Sequence, residues 1–194
     1  MKYGKPERAG NADLLKGLIT GIVSGLVASW VMNQFQSTWQ KAVEGEERGH
    51  GAQSMQQGSP ERGIGKILEE RGTDDPNDDS AERLSEYVSE EVFDHRLTES
   101  EKDAGGVAFH YAFGITSGAV YSAAAEYLPE VTYGAGLPYG VLIWVAADEG
   151  VVPLLGLSKS PAEYPLSTHA YAFTSHLVYG LANEMTRRAV RNFL

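Results

Sequence analysis

Five side chains in the C-terminal half of the chain are of types that move protons or hold metals: His110, Asp148, Glu149, His169 and His176. The two acids are adjacent, inside the otherwise apolar run VAADEGVVPLLGLSKSP. His169 and His176 are seven residues apart, so on a helix they share a face. Imidazoles and carboxylates brought together can form a hydrogen-bonded ion cluster, a proton relay or a metal site. For a metal, His110, Glu149 and His169, with Asp148 beside them, supply the nitrogen and oxygen donors that suit zinc or non-haem iron. His169 and His176 are separated by about 10.5 Å along a helix axis, too far to ligate one ion together. Haem between His110 and His176 is a further arrangement, but a porphyrin needs facing histidines at matched depth, and no second pair is present.

Other chemistries are absent. The chain has no cysteine, which removes disulfides, thiolate zinc sites and cysteine nucleophiles together. It has no phosphate loop, nucleophile elbow or metalloprotease helix. Ser175 precedes His176, but adjacent helical residues point apart, so the two do not make a nucleophile and its base. Catalysis is not predicted, and no cofactor is required. The net charge of −10 argues against nucleic acid as a partner, which calls for clustered Lys and Arg.

That charge is localised. Residues 36 to 104 hold 18 Asp and Glu against 8 Lys and Arg, and the remainder holds 8 of each. Outside this segment the sequence is Ala, Gly, Val, Leu and aromatic. The run LLKGLITGIVSGLVASWVMNQF, residues 14–35 of a helix expected over about 14–36, has one charge, Lys16, and the roughly 20 residues that a bilayer core needs. Gly17, Gly21 and Gly25 recur on its one face, followed by Ser29. In lipid this spacing lets helix backbones approach closely, whereas in water each glycine would only weaken the helix. Three further runs, 105–128, 137–157 and 166–187, are rich in Ala, Gly and Tyr, with breaks at Pro129, Gly134, Gly136, Pro153, Gly156, Pro161 and Pro165. Gly114 and Gly118 lie on the face of His110, Tyr121 and Ala125. The expected fold is therefore all-α: one membrane domain of four transmembrane helices, with residues 37–104 as an acidic, partly helical extramembrane insertion. Within the insertion, Ser59 and Pro60 can start a short helix that ends before Gly72. A second helix over 81–97 places Leu84, Val88 and Val92 on one stripe.

Lys2, Lys5 and Arg8 precede the first run with Lys16 near its start, and Arg187 ends the last with Arg188 and Arg191 after it, which by the positive-inside rule puts both termini in the cytoplasm. The insertion then lies outside. Counting inward from the outer boundary places His110, Asp148, Glu149 and His169 about 5 to 10 Å deep and His176 about 15 Å deep. One acid is expected to reach His110 and the other His169 or water. The lipid bilayer is the expected partner, and the glycine faces leave room for a homo-oligomer or an accessory role in a larger membrane complex.

The segments FHYAFGITSGAVYSAAAEYLPE, VPLLGLSKSPAEYP and SHLVYGLANEMTRRAVR resemble the YagU-like family of small bacterial inner-membrane proteins. The matching positions include His110, Tyr121, Glu126, Pro153, Gly156, His176, Glu184, Arg187, Arg188 and Arg191. The resemblance spans about residues 105–191 and leaves the acidic insertion uncovered. It implies an inner-membrane, multi-pass protein with a link to acid tolerance and no established biochemical activity.

Overall fold

The computed structural model describes residues 11–44 and 58–193. Their regular structure is entirely helical: α1 (Asn11–Glu44), α2 (Gly63–Arg71), α3 (Ser80–Phe93), α4 (Glu99–Tyr127), α5 (Leu137–Ala146), α6 (Val152–Leu154) and α7 (Leu166–Arg191). A π turn, Ala147–Val151, joins α5 to α6, so residues 137 to 154 run as one irregular helix. Lys2, Lys5 and Arg8, on which the orientation partly rests, lie outside the described residues.

The long helices form a curved layer in the order α4, α1, α7, α5. Helix α1 packs along both α4 and α7, α5 packs on α7, and α4 meets α5 through Tyr139, which bonds the Ser117 carbonyl and stacks on Tyr121. Glycine sets the first of these joints. A methyl placed on Gly25 would lie 2.5 Å from the Gly114 carbonyl oxygen and 2.9 Å from Ile115 Cα. On Gly118 it would lie 2.6 Å from both the Gly21 carbonyl oxygen and Gly25 Cα. Gly17 rests on Glu126 and the Ser122 carbonyl, and Gly114 on the Ser29 hydroxyl. The α5–α7 joint repeats the device, with Gly136 and Gly140 seated on the backbone of Gly180 and His176.

The layer is inverted relative to a water-soluble bundle. On α1 the buried positions are Gly17, Thr20, Gly21, Ser24, Gly25, Ala28, Ser29, Met32 and Gln36, mostly small residues, while Leu15, Leu18, Ile19, Ile22, Val23, Leu26 and Trp30 are exposed. On α4, Gly114, Ser117, Gly118 and Ser122 are inside and Val107, Phe113 and Val120 outside. Water would drive the large side chains inward. In hydrocarbon that force is missing, and small residues let the backbones close up instead.

Among the described residues two stretches, Asp13–Ala42 and Pro129–Leu154, are long and apolar enough to cross a membrane. Helices α4 and α7 have the length but not the composition, because Ala, Gly, Ser and Tyr contribute little hydrophobicity each. The sequence-based count of four spans is thus matched in composition by two.

The insertion folds back onto one end of this layer. Its first helix starts at Gly63, later than Ser59 and Pro60 suggested, and its N-cap residue Arg62 makes no side-chain capping bond. The orphan amides are satisfied from outside the insertion: Ile64 N–H donates to the Leu155 carbonyl (2.9 Å) and Gly65 N–H to that of Gly156 (2.8 Å). Gly72, left-handed at φ 73°, ends the helix as expected. Helix α3 begins with a capping box, in which Asp79 accepts from the Ala81 and Glu82 amides and Glu82 accepts from the Asp79 amide.

The apolar stripe of α3 turns inward only in part, with Leu84 on the cavity wall and Val88 half-buried. Arg83, Ser85, Glu86 and Ser89 are buried, while Val92 is 65% exposed. The cause is a pair of buried cations. Arg83, fully buried, donates to Asp74 (2.6 Å) and to the carbonyls of Asp75 and Leu157. Lys102 donates to Asp78 (2.9 Å) and to the Thr73 carbonyl (3.0 Å). Unpaired, either would be costly to bury, so their partners dictate which face turns in.

Candidate functional site

The acids of the opening motif sit on the π turn, where Val152 N–H donates to the Ala147 carbonyl five residues back. Such turns insert one extra residue into a helix and re-aim the neighbouring side chains. Here Asp148 and Glu149 both point at α7 and divide between its two histidines. Glu149 Oε1 lies 2.7 Å from His169 Nδ1. Asp148 Oδ2 lies 3.5 Å from His176 Nδ1, which donates at 2.9 Å to the Ala172 carbonyl. The longer acid takes His169, near the start of α7, and the shorter one His176, two turns further along.

The two ring nitrogens of His169 both face acceptors: Nδ1 meets the Glu149 carboxyl, and Nε2 the Pro161 carbonyl at 3.0 Å. A carbonyl cannot donate, so Nε2 carries a hydrogen, and a second proton must lie between Nδ1 and Oε1. The pair therefore holds two protons, whichever atom of the Nδ1–Oε1 bond the second one rests on.

His110 is separate from this pair. It lines a cavity with Asp148 and His176, and its buried Nε2 has no hydrogen-bond partner. Neither acid reaches it as a bonded partner, contrary to the expectation. The candidate metal set His110, Glu149 and His169 is not assembled either. Among the described residues no three His, Cys, Asp or Glu side chains stand close enough to share an ion. The physical reason is the seven-residue offset on α7: His169 belongs to the turn near Pro161, while His110 lies at the level of His176.

The cavity, about 430 Å³, is enclosed by α1, α3, α4, the α5–α6 segment and α7. Its walls are mainly apolar, with Met32, Phe109, Ile143, Val152, Leu157 and Tyr171 among them. Asp79, Ser80, Ala81 and Leu84 at the start of α3 close the end next to the insertion. Just behind them, burial and then the neighbouring Asp79 carboxylate push Glu82 up to about 7. On the α7 side Tyr179 donates to the Gly114 carbonyl (2.6 Å). Farther along, Tyr139 of α5 donates to the Ser117 carbonyl (2.7 Å) and stacks on Tyr121 at 4.5 Å.

A second ionic cluster occupies the opposite end and was not singled out as a site from the sequence. Glu184, 0% exposed, accepts from Tyr121 (3.0 Å), from Arg187 twice (2.6 and 3.0 Å) and from Arg188 (2.6 Å). Arg191 makes a bidentate pair with Glu126 (2.9 and 3.1 Å) and approaches Asp13 at 3.5 Å. The available signal was the spacing of Glu184 with Arg187 and Arg188, three and four residues on, where helical neighbours meet.

The fold and its polar centres define an all-helical protein with two stretches suited to a membrane and paired ionisable groups buried between its helices. The chain belongs to the family described as protein of unknown function DUF1440, whose model matches residues 68–185. That match takes in α3 to most of α7 and both the histidine–carboxylate pairs. No curated protein and no solved structure matches the chain.

Proposed function

We propose that this protein is a non-enzymatic, multi-pass membrane protein whose four long helices all cross the bilayer, and whose histidine–carboxylate pairs form a proton-responsive clasp between α5 and α7. Supporting it is one arrangement: Asp148, Glu149, His169 and His176 face one another in pairs between the helices, while Leu, Ile, Val and Trp side chains of α1 and α4 face outward. An ionisable group in hydrocarbon costs about 2.5 kcal/mol or more unless it finds such a partner. The lower hydrophobicity of α4 and α7 fits helices that contact their neighbours on small-residue faces. The likeness to the YagU-like inner-membrane proteins adds the inner membrane as the location, cytoplasmic termini and the link to acid tolerance.

In this reading the clasp is closed by the proton shared between Glu149 and His169. Its loss leaves acceptors facing one another, and α5 loosens from α7. The test is the double variant Asp148→Asn with Glu149→Gln, purified in mild detergent and followed by tryptophan fluorescence across pH. Trp144 on α5 stacks edge-on against Phe173 of α7 at 5.1 Å, so it reports the joint. The wild type is expected to show a pH-dependent change that the folded double variant lacks. Identical pH profiles would leave the acids a purely structural role. Separately, recovery of the wild type in the soluble fraction after carbonate wash would end the membrane reading.

A further inference from the structure

The cavity beside the clasp contains more polar chemistry than the clasp uses. Three polar atoms on its walls lack any partner: Ser29 Oγ, Gln36 Oε1 and His110 Nε2. Ser29 and Gln36 are 0% and 3% exposed, so solvent around the protein does not satisfy them. Native proteins rarely leave buried polar atoms unpaired, and three around one cavity, two from α1 and one from α4, call for an occupant. The volume lies in the range of small-molecule sites, about 300 to 1,000 Å³.

The route in follows from the packing order. Helices α4 and α5 meet through Tyr139, which bonds Ser117 and stacks on Tyr121; beyond that contact the exposed Ala112, Phe113 and Thr116 of α4 share the cavity lining with Ile143 and Ala147, on α5 and the π turn after it. The mouth therefore opens on the flank of the layer, among outward-facing apolar side chains, and not at an end. A ligand entering there comes from the lipid phase. Its polar part is selected by charge and by hydrogen-bond type. No Lys or Arg lines the cavity, whereas Asp79 and Asp148 do. Gln36 Oε1 and a carboxylate can only accept, and the Ser29 hydroxyl and His110 imidazole can serve either way. The complementary head group donates hydrogen bonds and carries no negative charge.

We propose that the cavity binds a single-chain amphiphile with an uncharged, hydroxyl-bearing head group, admitted from the bilayer between α4 and α5. The hydroxyls occupy the Ser29, Gln36, His110 and Asp148 side, and the chain leaves past Phe113 and Ile143. This rests on the membrane reading above, but not on the proton-responsive clasp.

The experiment uses the full chain in mild detergent, titrated with monooleoylglycerol and, in parallel, with oleoyl lysophosphatidate, which differs by its phosphate. Binding is counted by native mass spectrometry. Saturable 1:1 binding of monooleoylglycerol is expected, with the lysophosphatidate at least tenfold weaker. Thr116→Trp, which plugs the mouth from an exposed position, should abolish binding at an unchanged melting temperature. Should that variant fold poorly, Ala112→Trp is the alternative plug. Gln36→Leu should weaken binding at least tenfold. Absence of saturable binding, equal binding of the two lipids, or undiminished binding by a folded plugged variant would each overturn the proposal. A protein that stays in the membrane after carbonate wash yet binds no monooleoylglycerol loses only this site. One released by the wash loses the membrane reading itself.

Discussion

Replacing Glu184 by alanine tests the ionic cluster at the far end of α7. The carboxylate is fully buried and receives Tyr121, Arg187 and Arg188. Its removal leaves Arg187, whose side chain is 13% exposed, as a largely buried cation without its main partner. Breaking a buried pair from one side costs about 3 to 5 kcal/mol, because the remaining charge stays desolvated. For a chain of this size each kcal/mol lowers the melting temperature by about 2 to 4 °C, so Glu184→Ala should lose about 6 to 20 °C. Arg188 bonds the same carboxylate, but its side chain is 57% exposed. Solvent screens it, and Arg188→Ala should cost about 1 kcal/mol or less. Removing Glu184 and Arg187 together should recover part of the Glu184→Ala loss, since the only charge then left without its partner, Arg188, is mostly exposed to solvent. The assay is thermal unfolding of the detergent-purified chain by tryptophan fluorescence. A Glu184→Ala melting temperature within 2 °C of the wild type, or an Arg188→Ala loss as large, would refute the reasoning.

Gly25→Val places side-chain atoms against the Gly114 carbonyl and Ile115 Cα, both backbone and unable to yield locally, so α1 and α4 must separate. Overpacking of this kind costs about 1 to 3 kcal/mol, and a melting curve on the variant checks it. Glu82 titrates about 7 in the folded chain against 4.5 for the free side chain. The fold therefore binds this proton more tightly than the unfolded chain does. Its stabilisation is complete below pH 4.5 and is lost as pH rises through 7. Converted directly the shift is worth about 3 kcal/mol, which solvent around this half-buried carboxyl screens to about 1 to 2. Glu82→Gln should accordingly be the more stable form at pH 8 and equal to the wild type near pH 4, in paired denaturation curves. Arg83→Ala leaves Asp74, itself buried, without its cation; a loss of about 3 to 5 kcal/mol is expected, read as early proteolysis of the insertion.

The long helices were legible because their signals are local. The Gly17, Gly21 and Gly25 period marks the face that meets α4, and Pro129, Pro161 and Pro165 mark the breaks. Residues 137 and 166 are the first of α5 and α7, as the apolar runs indicated. What counting could not supply was rotation. A regular helix sends Asp148 and Glu149 about 100° apart, and only the π turn explains how both meet α7. Depth counting likewise set His176 apart from Asp148 and joined His110 to His169, whereas the histidine at the level of His110 is His176. In α3 the stripe of Leu84, Val88 and Val92 was real as a pattern, but Arg83 and its partner Asp74, nine residues earlier, decided which side was buried. Periodicity reads hydrophobicity and is blind to a cation whose partner lies in another segment.

The order α4, α1, α7, α5 across the layer differs from the order in which the chain is made, and this bears on biogenesis. Helix α5 follows α4 through a short connection yet has its seat on α7, which does not exist when α5 is synthesised. Helix α1 likewise waits for α4 until the whole acidic insertion has passed. Asp148 and Glu149 thus leave the ribosome before either histidine that will receive them, and for that interval two carboxyls have no partner in the nascent chain. Helix α7 completes both the α1 and α5 joints, so this 26-residue helix is the keystone of assembly and the two acids gain their partners only with it.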